Sequence, residues 1–167
     1  VDGDGFSEIG KLNMNTFGLR AYYRPTQFSR LGLEYHTTNE FRRGGNKFDK
    51  EPFETDITEQ TKHVINSGGL TYDLFWKEYK HKLSFYASAQ HVDRNSYYGA
   101  QQDPNAYGKT KDLTFVGGGM YTGNFEKVLF SPTVFTMGLE YQHNNMHDVM
   151  AGYNRDLKQE VRIASAF

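Results

Sequence analysis

PTQFSRLGLEYH at residues 25–36 and PTVFTMGLEYQH at residues 132–143 are two versions of one phrase. Each opens at a proline turn and passes into strict alternation. In the first, Leu31, Leu33, Tyr35 and Thr37 share one side, while Arg30, Gly32, Glu34 and His36 share the other. In the second, Phe135, Met137, Leu139 and Tyr141 oppose Thr136, Gly138, Glu140 and Gln142. Successive side chains of a β-strand point to opposite faces, so each phrase encodes a strand with one apolar and one polar side. The polar side sets a carboxylate two residues from glycine at matching places, which suits a wet interior. The two phrases therefore predict strands of a transmembrane β-barrel.

The same alternation recurs along the chain. A first strand is expected near residues 14–24, a second after Pro25, and a third from about residue 60 to residue 76. The fourth is the clearest, with Leu83, Phe85, Ala87 and Ala89 opposite Lys82, Ser84, Tyr86, Ser88 and Gln90. A fifth lies near residues 111–122, where Gly117, Gly118 and Gly119 weaken the signal. The second phrase is the sixth strand, and residues 160–167 begin a seventh. Turn signals near residues 26, 78 and 128 alternate with long polar stretches near residues 48, 101 and 152. Short turns alternating with long loops fit the periplasmic turns and extracellular loops of an outer-membrane barrel. A soluble all-β domain shows a turn every 8–12 residues or so.

Composition agrees with that reading. Only 37% of the 167 residues are hydrophobic, yet 16% are aromatic, with 12 Tyr and 13 Phe against one Trp. A barrel accounts for both values, because only every second strand residue meets lipid and aromatic girdles flank the apolar band. No window holds the roughly 20 apolar residues of a membrane helix. Charge is near balance, with 19 basic and 20 acidic side chains, so no nucleic-acid partner is expected. Cysteine is absent, which excludes a disulfide framework and a thiol nucleophile. The opening VDGDGFSEIG is acidic and lacks the apolar core of a signal peptide. With six or seven strands and lipid intolerant of open sheet edges, residues 1–167 are expected to form a partial barrel domain that needs further strands.

Candidate sites sit in the polar stretches. Tyr97, Tyr98 and Tyr107, with Arg94 nearby and Tyr153 and Arg155 from the next stretch, are the candidate ligand-binding residues. Tyrosine offers a large apolar face with a polar handle, which suits ring-containing ligands or sugars. Packing of the loops against one another is the competing role for these rings. His143, His147 and Asp148 lie on an extended segment where the two histidines are about 13 Å apart, too far for one metal unless the segment bends. Asp49, Glu51, Glu54, Asp56 and Glu59 form an acidic loop with Lys47, Lys50 and Lys62 interleaved. That loop is read as solvated surface, with loop-bound Ca²⁺ as the lesser alternative. No cofactor and no enzymatic activity are expected. Glu34 and Glu140 sit about four strand positions apart, roughly 19 Å, which is too far for a glycosidase pair.

DITEQTKHVINSGGLTYDLF (56–75), LSFYASAQHVDRNSYYG (83–99) and GLEYQHNNMHDVMAGYNRD (138–156) resemble the middle of the barrel of TonB-dependent outer-membrane receptors, of the Bacteroidetes type for ferric siderophores, haem or cobalamin. The similarity runs from about residue 14 onward. It implies a 22-stranded barrel plugged by an N-terminal domain, located in the outer membrane. It implies active import of a scarce nutrient complex with energy relayed through TonB. The implied partners are the rest of the barrel and its plug, TonB through an N-terminal region, outer-membrane lipid and a surface lipoprotein. In such a barrel the inward-facing Arg20, Arg24, Arg30, Glu34, Lys82, Gln90, Glu140 and Gln142 would bond to the plug or to neighbouring strands. A passive porin or adhesin-type barrel, lacking a plug, is the alternative. A soluble β-sandwich binding module is a more distant one.

Overall fold

Alternation in the sequence becomes a single sheet when the strands register in phase. The computed structural model describes residues 7–167, so residues 1–6 of the acidic opening segment lie outside the described residues. The strands are β1 (Ser7–Tyr23), β2 (Ser29–Gly45), β3 (Ile57–Trp76), β4 (His81–Ala100), β5 (Tyr107–Val128), β6 (Ser131–Met150) and β7 (Arg155–Ala166). They form one seven-stranded sheet in sequence order, every neighbouring pair antiparallel. The chain is all-β, and the expected antiparallel architecture of a barrel segment is present. Among the described residues no helix is long and apolar enough to cross a membrane, a statement that does not bear on strands.

The register carries the alternation across the whole sheet. Ala21 faces Leu33, Leu33 faces Leu70, Leu70 faces Ala87, Ala87 faces Gly117, Gly117 faces Tyr141 and Tyr141 faces Ala164. One residue along, Arg20, Glu34, Gly69, Ser88, Val116, Gln142 and Ile163 form the next row on the opposite face. We call the first face outer and the second inner. Polar and small side chains are most frequent on the inner face, with apolar exceptions near the sheet's edges (Leu12, Met14, Tyr22, Leu157 and Ile163) and within it (Ile65, Phe75, Val92, Val116 and Met120).

A lone sheet leaves its apolar side uncovered. Leu33, Leu70, Phe85, Phe115, Met137 and Leu139 all stand exposed on the outer face, Leu139 at 67%. Two-layer domains bury such a face against a second layer, and no second layer exists among the described residues. The buried apolar side chains are instead Tyr97, Ala106 and Met150, all at the end away from the short turns.

That short-turn end is aromatic. Trp76 stacks on His81 at 5.4 Å, and Tyr121 and Phe125 complete the group on the outer face. The turn between β3 and β4 holds Lys77, Glu78 and Tyr79 in the left-handed region, with φ of 48°, 55° and 67°. Three such residues in succession are costly. Tyr79 offsets this by donating to Gln27 O at 2.8 Å and packing its ring on Phe28 and Phe75.

Strand length departs from the sequence reading. Six strands span 17–22 residues. The stretches near residues 101 and 152, read as long loops, are the short connections 101–106 and 151–154. Only the stretch near residue 48 is a longer loop, residues 46–56. The physical reason is that beyond Ala89, Leu113 and Tyr141 both faces become polar. Period-two contrast then vanishes although the ladder continues, with Lys62 opposite Asn95 and Lys111 opposite His147.

The β2–β3 loop departs from Gly45, whose φ is 111° and whose Cβ, if present, would lie 2.4 Å from Ile57 O. Gly45→Ala is expected to destabilise the loop by about 1–3 kcal/mol. Limited proteolysis of the folded full-length protein should then cut faster within residues 46–56; an unchanged rate counts against this role.

Candidate binding face and loop cap

The inner face is a ladder of paired charges. Arg20 donates to Glu34 at 3.0 Å, and Tyr86 donates to Glu140 at 2.7 Å. Asp73 accepts from Arg30 at 2.7 Å and Ser84 at 2.8 Å, with Lys82 at 3.1 Å. Asn144 donates to Asp112 and Thr114 at 2.9 and 2.8 Å. Between these pairs, Glu34, His36, Ser67, Ser88, Gln90 and Thr114 line a shallow groove of about 320 Å³. Short side chains in the middle rows leave the groove open, with Ser67 opposite Gln90 and Ser88 opposite Val116.

Further from the short turns, the inner face gathers two arginines around one carboxylate. Asp148 on β6 is 7% exposed. Arg155 Nε lies 2.7 Å from one of its oxygens and Arg94 3.6 Å from the other. Thr110, on the strand between, accepts from Arg94 at 2.9 and 3.2 Å and donates to Asp148 at 2.5 Å. The cluster carries one net positive charge and both guanidiniums keep part of their surface in solvent. Arginine forks match carboxylates and phosphates, so this arrangement can hold an anionic or polar ligand group without rebuilding itself. Its neighbour on the same face is the Glu40–Arg42–His63 group, with His63 Nδ1 3.4 Å from Glu40. Partial burial there raises the Glu40 pKa, but hydrogen bonds from Arg42 and His63 outweigh it and hold the carboxyl below its usual value.

The three connections at this end form a cap. Tyr97, 1% exposed, meets Tyr107 edge-on at 4.9 Å and donates to Asp103 O at 2.9 Å. Burial, followed by the nearby Asp103 charge, pushes the Tyr97 pKa up. Tyr153 donates to Tyr98 O at 2.8 Å, Gly152 N donates to Asn105 O at 2.8 Å, and Gln101 N donates to Asp56 O at 2.8 Å. Arg43 runs into the 46–56 loop and donates to Lys50 O at 2.6 Å. Each connection is thereby tied to another.

The six candidate ligand residues consequently split. Arg94 and Arg155 come together at Asp148 on the inner face. Tyr98 lies further along that face, half-exposed. Tyr97 and Tyr107 lie on the outer side and are on strands β4 and β5, not in a loop; Tyr97 is sealed and cannot touch a ligand. Tyr153 is exposed in the 3₁₀ turn Ala151–Tyr153. Asp148 and Thr110 complete the arginine cluster; the sequence marks Asp148 only beside His143 and His147 and does not mark Thr110, and cross-strand pairing of Thr110 with Asp148 puts them together.

The histidine and acidic groups also resolve into pairs. His143 lies 3.0 Å from Glu160 and His147 2.8 Å from Asp156, both on the outer face and turned away from Asp148. Asp56 is held by Lys47 at 2.7 Å and Asn46 at 3.2 Å, which together lower its pKa, while Glu54 caps Glu51 N at 3.1 Å. Among the described residues no three His, Asp or Glu side chains come together as a metal site. Glu34 and Glu140 stand on β2 and β6, four ladder steps apart.

No protein-family model, curated protein or solved structure matches this chain.

Removing the sealed ring should open the cap. Tyr97→Ala is expected to cost about 3–5 kcal/mol, against about 0.5–1.5 kcal/mol for Tyr97→Phe, which loses only the bond to Asp103 O. Hydrogen exchange across residues 101–106 and 151–154 checks this, and equal protection in the two variants would show that the ring does not hold the cap.

Proposed function

We propose that this chain is a section of the wall of an outer-membrane β-barrel transporter. The transporter binds a scarce nutrient complex such as a ferric siderophore, haem or cobalamin, and imports it with TonB-coupled energy. The observation that carries the membrane part is the seven-strand apolar outer face, left without a protein layer and bordered by aromatic residues at the short-turn end. An inner face of paired charges suits a hydrated lumen or a plug. β1 and β7 each have one unpaired ladder edge, and in lipid every unsatisfied backbone group costs several kcal/mol, so further strands on both sides fit this reading. The resemblance of residues 56–75, 83–99 and 138–156 to TonB-dependent receptors supplies the energy coupling, the plug and the ligand class.

In that mechanism the cap forms the external rim and the lumen lies against the inner face. A ligand captured at the rim meets Arg94 and Arg155 first, then the polar wall of Glu34, His36, Gln90 and Thr114. Passage follows rearrangement of the plug against this wall.

Two substitutions on opposite faces of β6 test the membrane assignment in the full-length protein. Leu139→Arg on the outer face should cost about 2–4 kcal/mol in lipid vesicles, whereas Gln142→Arg on the inner face should change stability by less than about 1 kcal/mol. Similar costs for both, or a protein folded and monodisperse without detergent, would sink the barrel. Binding is tested separately by Arg94→Ala and Arg155→Ala. Each should weaken uptake of the cognate nutrient by intact cells about tenfold, the loss of one charge-assisted hydrogen bond, while Tyr107→Phe leaves it unchanged; unaltered uptake in both arginine variants removes the cluster from the binding site.

A further inference from the structure

Within the body of the sheet the outer-face glycines of β4 and β5 are roofed by rings, whereas Gly68 on β3 is not. Phe115 lies over Gly117, Phe85 over Gly119, Tyr121 and Phe125 over Gly123, and Tyr97 over Gly99. At Gly68 a Cβ would meet only Glu34 O at 3.3 Å and the edge of Tyr35 at 4.0 Å. Gly68 pairs with Ala89, and Leu70 pairs with Ala87, so the floor around it is low. Leu33 and Tyr35 rise on one side and Phe115 on the other, three strands away. The result is an apolar trough of about 390 Å³ in the outer face.

Along the same strands, away from the short turns, the trough leads to a polar step and then to cations. Asn66 and His91 are cross-strand partners immediately beyond it. Lys62 and Lys109 flank Asn95 from either side, and Lys111 flanks Asp93. All three lysines are exposed. Among the described residues none of them enters an ion pair. Asp93 Oδ1 has no hydrogen-bond partner. Three lysines against one aspartate leave a net charge of +2 on this patch. Lys111 is about 13 Å along the strand from Phe115, and Lys62 about 20 Å from Gly68. A tilt of about 40° shortens these to roughly 10–15 Å of height, and lysine stems reach back towards the apolar boundary.

From this sequence of slot, polar step and cations we infer that the outer face carries a binding site for a phosphorylated lipid of the external leaflet. One acyl chain lies in the trough at Gly68, the sugar or glycerol linker meets Asn66 and His91, and phosphate sits among Lys62, Lys109 and Lys111. The inference rests on the barrel reading, because it needs this face to meet lipid. Charge complementarity fixes the lipid's class, since a neutral headgroup would leave the three lysines unmatched.

The experiment uses the full-length protein in nonionic detergent, with bis-phosphorylated lipid A and its fully dephosphorylated form as probes and native mass spectrometry as the readout. Wild-type protein should retain the phosphorylated form at least about tenfold better. The triple variant Lys62→Gln, Lys109→Gln, Lys111→Gln should lose that preference. Gly68→Leu, which fills the slot at a position whose backbone is not left-handed, should weaken retention of both forms while keeping the preference. Equal retention of the two lipids by wild type, a preference that survives the triple variant, or Gly68→Leu without effect overturns the site. Heat-shifted electrophoretic mobility reports the folded barrel independently: a detergent-dependent barrel with no phosphate preference defeats the site alone, whereas a chain that folds in plain buffer defeats the barrel reading and the site together.

Discussion

Registry between neighbouring strands is the constraint on which everything else in this sheet depends. Side chains alternate with period two, so a slip of one residue at any of the six pairings would carry a whole strand's apolar set to the other face. Arg20 would then leave Glu34, Arg30 would leave Asp73, and Tyr86 would leave Glu140. The same slip would set Leu33 and Leu70 among charges. The ion pairs are therefore better understood as markers of register than as sources of stability, because exposed pairs are individually worth only about 0–1 kcal/mol. Their cost appears in the wrong register, where each charge would lose its partner and enter the apolar face.

Two regimes follow along each strand. Near the short turns the faces differ sharply and the rings of Trp76, His81, Tyr121 and Phe125 gather at the boundary. Further out both faces are polar, and the hydrophobic contrast that pins register has gone. There the cap takes over: Tyr97 under Tyr107, Arg43 threaded into the 46–56 loop, and Tyr153 on the Tyr98 carbonyl fix the strand ends to one another. This explains why the few fully buried side chains lie at the end that looks least hydrophobic in the sequence.

What could be read from the sequence follows the same division. Leu83, Phe85, Ala87 and Ala89 alternate with Ser84, Tyr86 and Ser88, and their strand is legible because burial contrast is written into adjacent letters. Gly117, Gly118 and Gly119 obscured β5, yet in the sheet Phe115 and Phe85 cover the first and third while Tyr86 approaches the second. A ring on one residue stands in for a side chain missing on another, which no local pattern reveals. The candidate site was half visible for a related reason. Arg94 and Arg155 stood out as charges beside tyrosines, but Asp148, which joins them, lies on a strand between them in space and seven positions before Arg155 in sequence. Tyr97 was legible as aromatic and misleading as a ligand contact, since its burial is set by the cap around it, with Tyr107 edge-on across the ladder and Asp103 O on its hydroxyl.

Placing the arginine cluster on strands has a mechanical consequence. Arg94 lies five residues beyond Ala89, so the ladder lifts it about 16 Å past the apolar trough. Thr110 and Asp148 are held by antiparallel hydrogen bonds on both sides, and Arg155 opens β7 directly after the 151–154 connection. A guanidinium borne on a paired strand loses less freedom on binding than one on a loop, because its backbone is already fixed. Asp148 further orients both guanidiniums while leaving donors of each unused. The extended, two-faced polar region thus does more than prolong the wall. It carries a preorganised cationic pair clear of the apolar band, on the face where a lumen would begin.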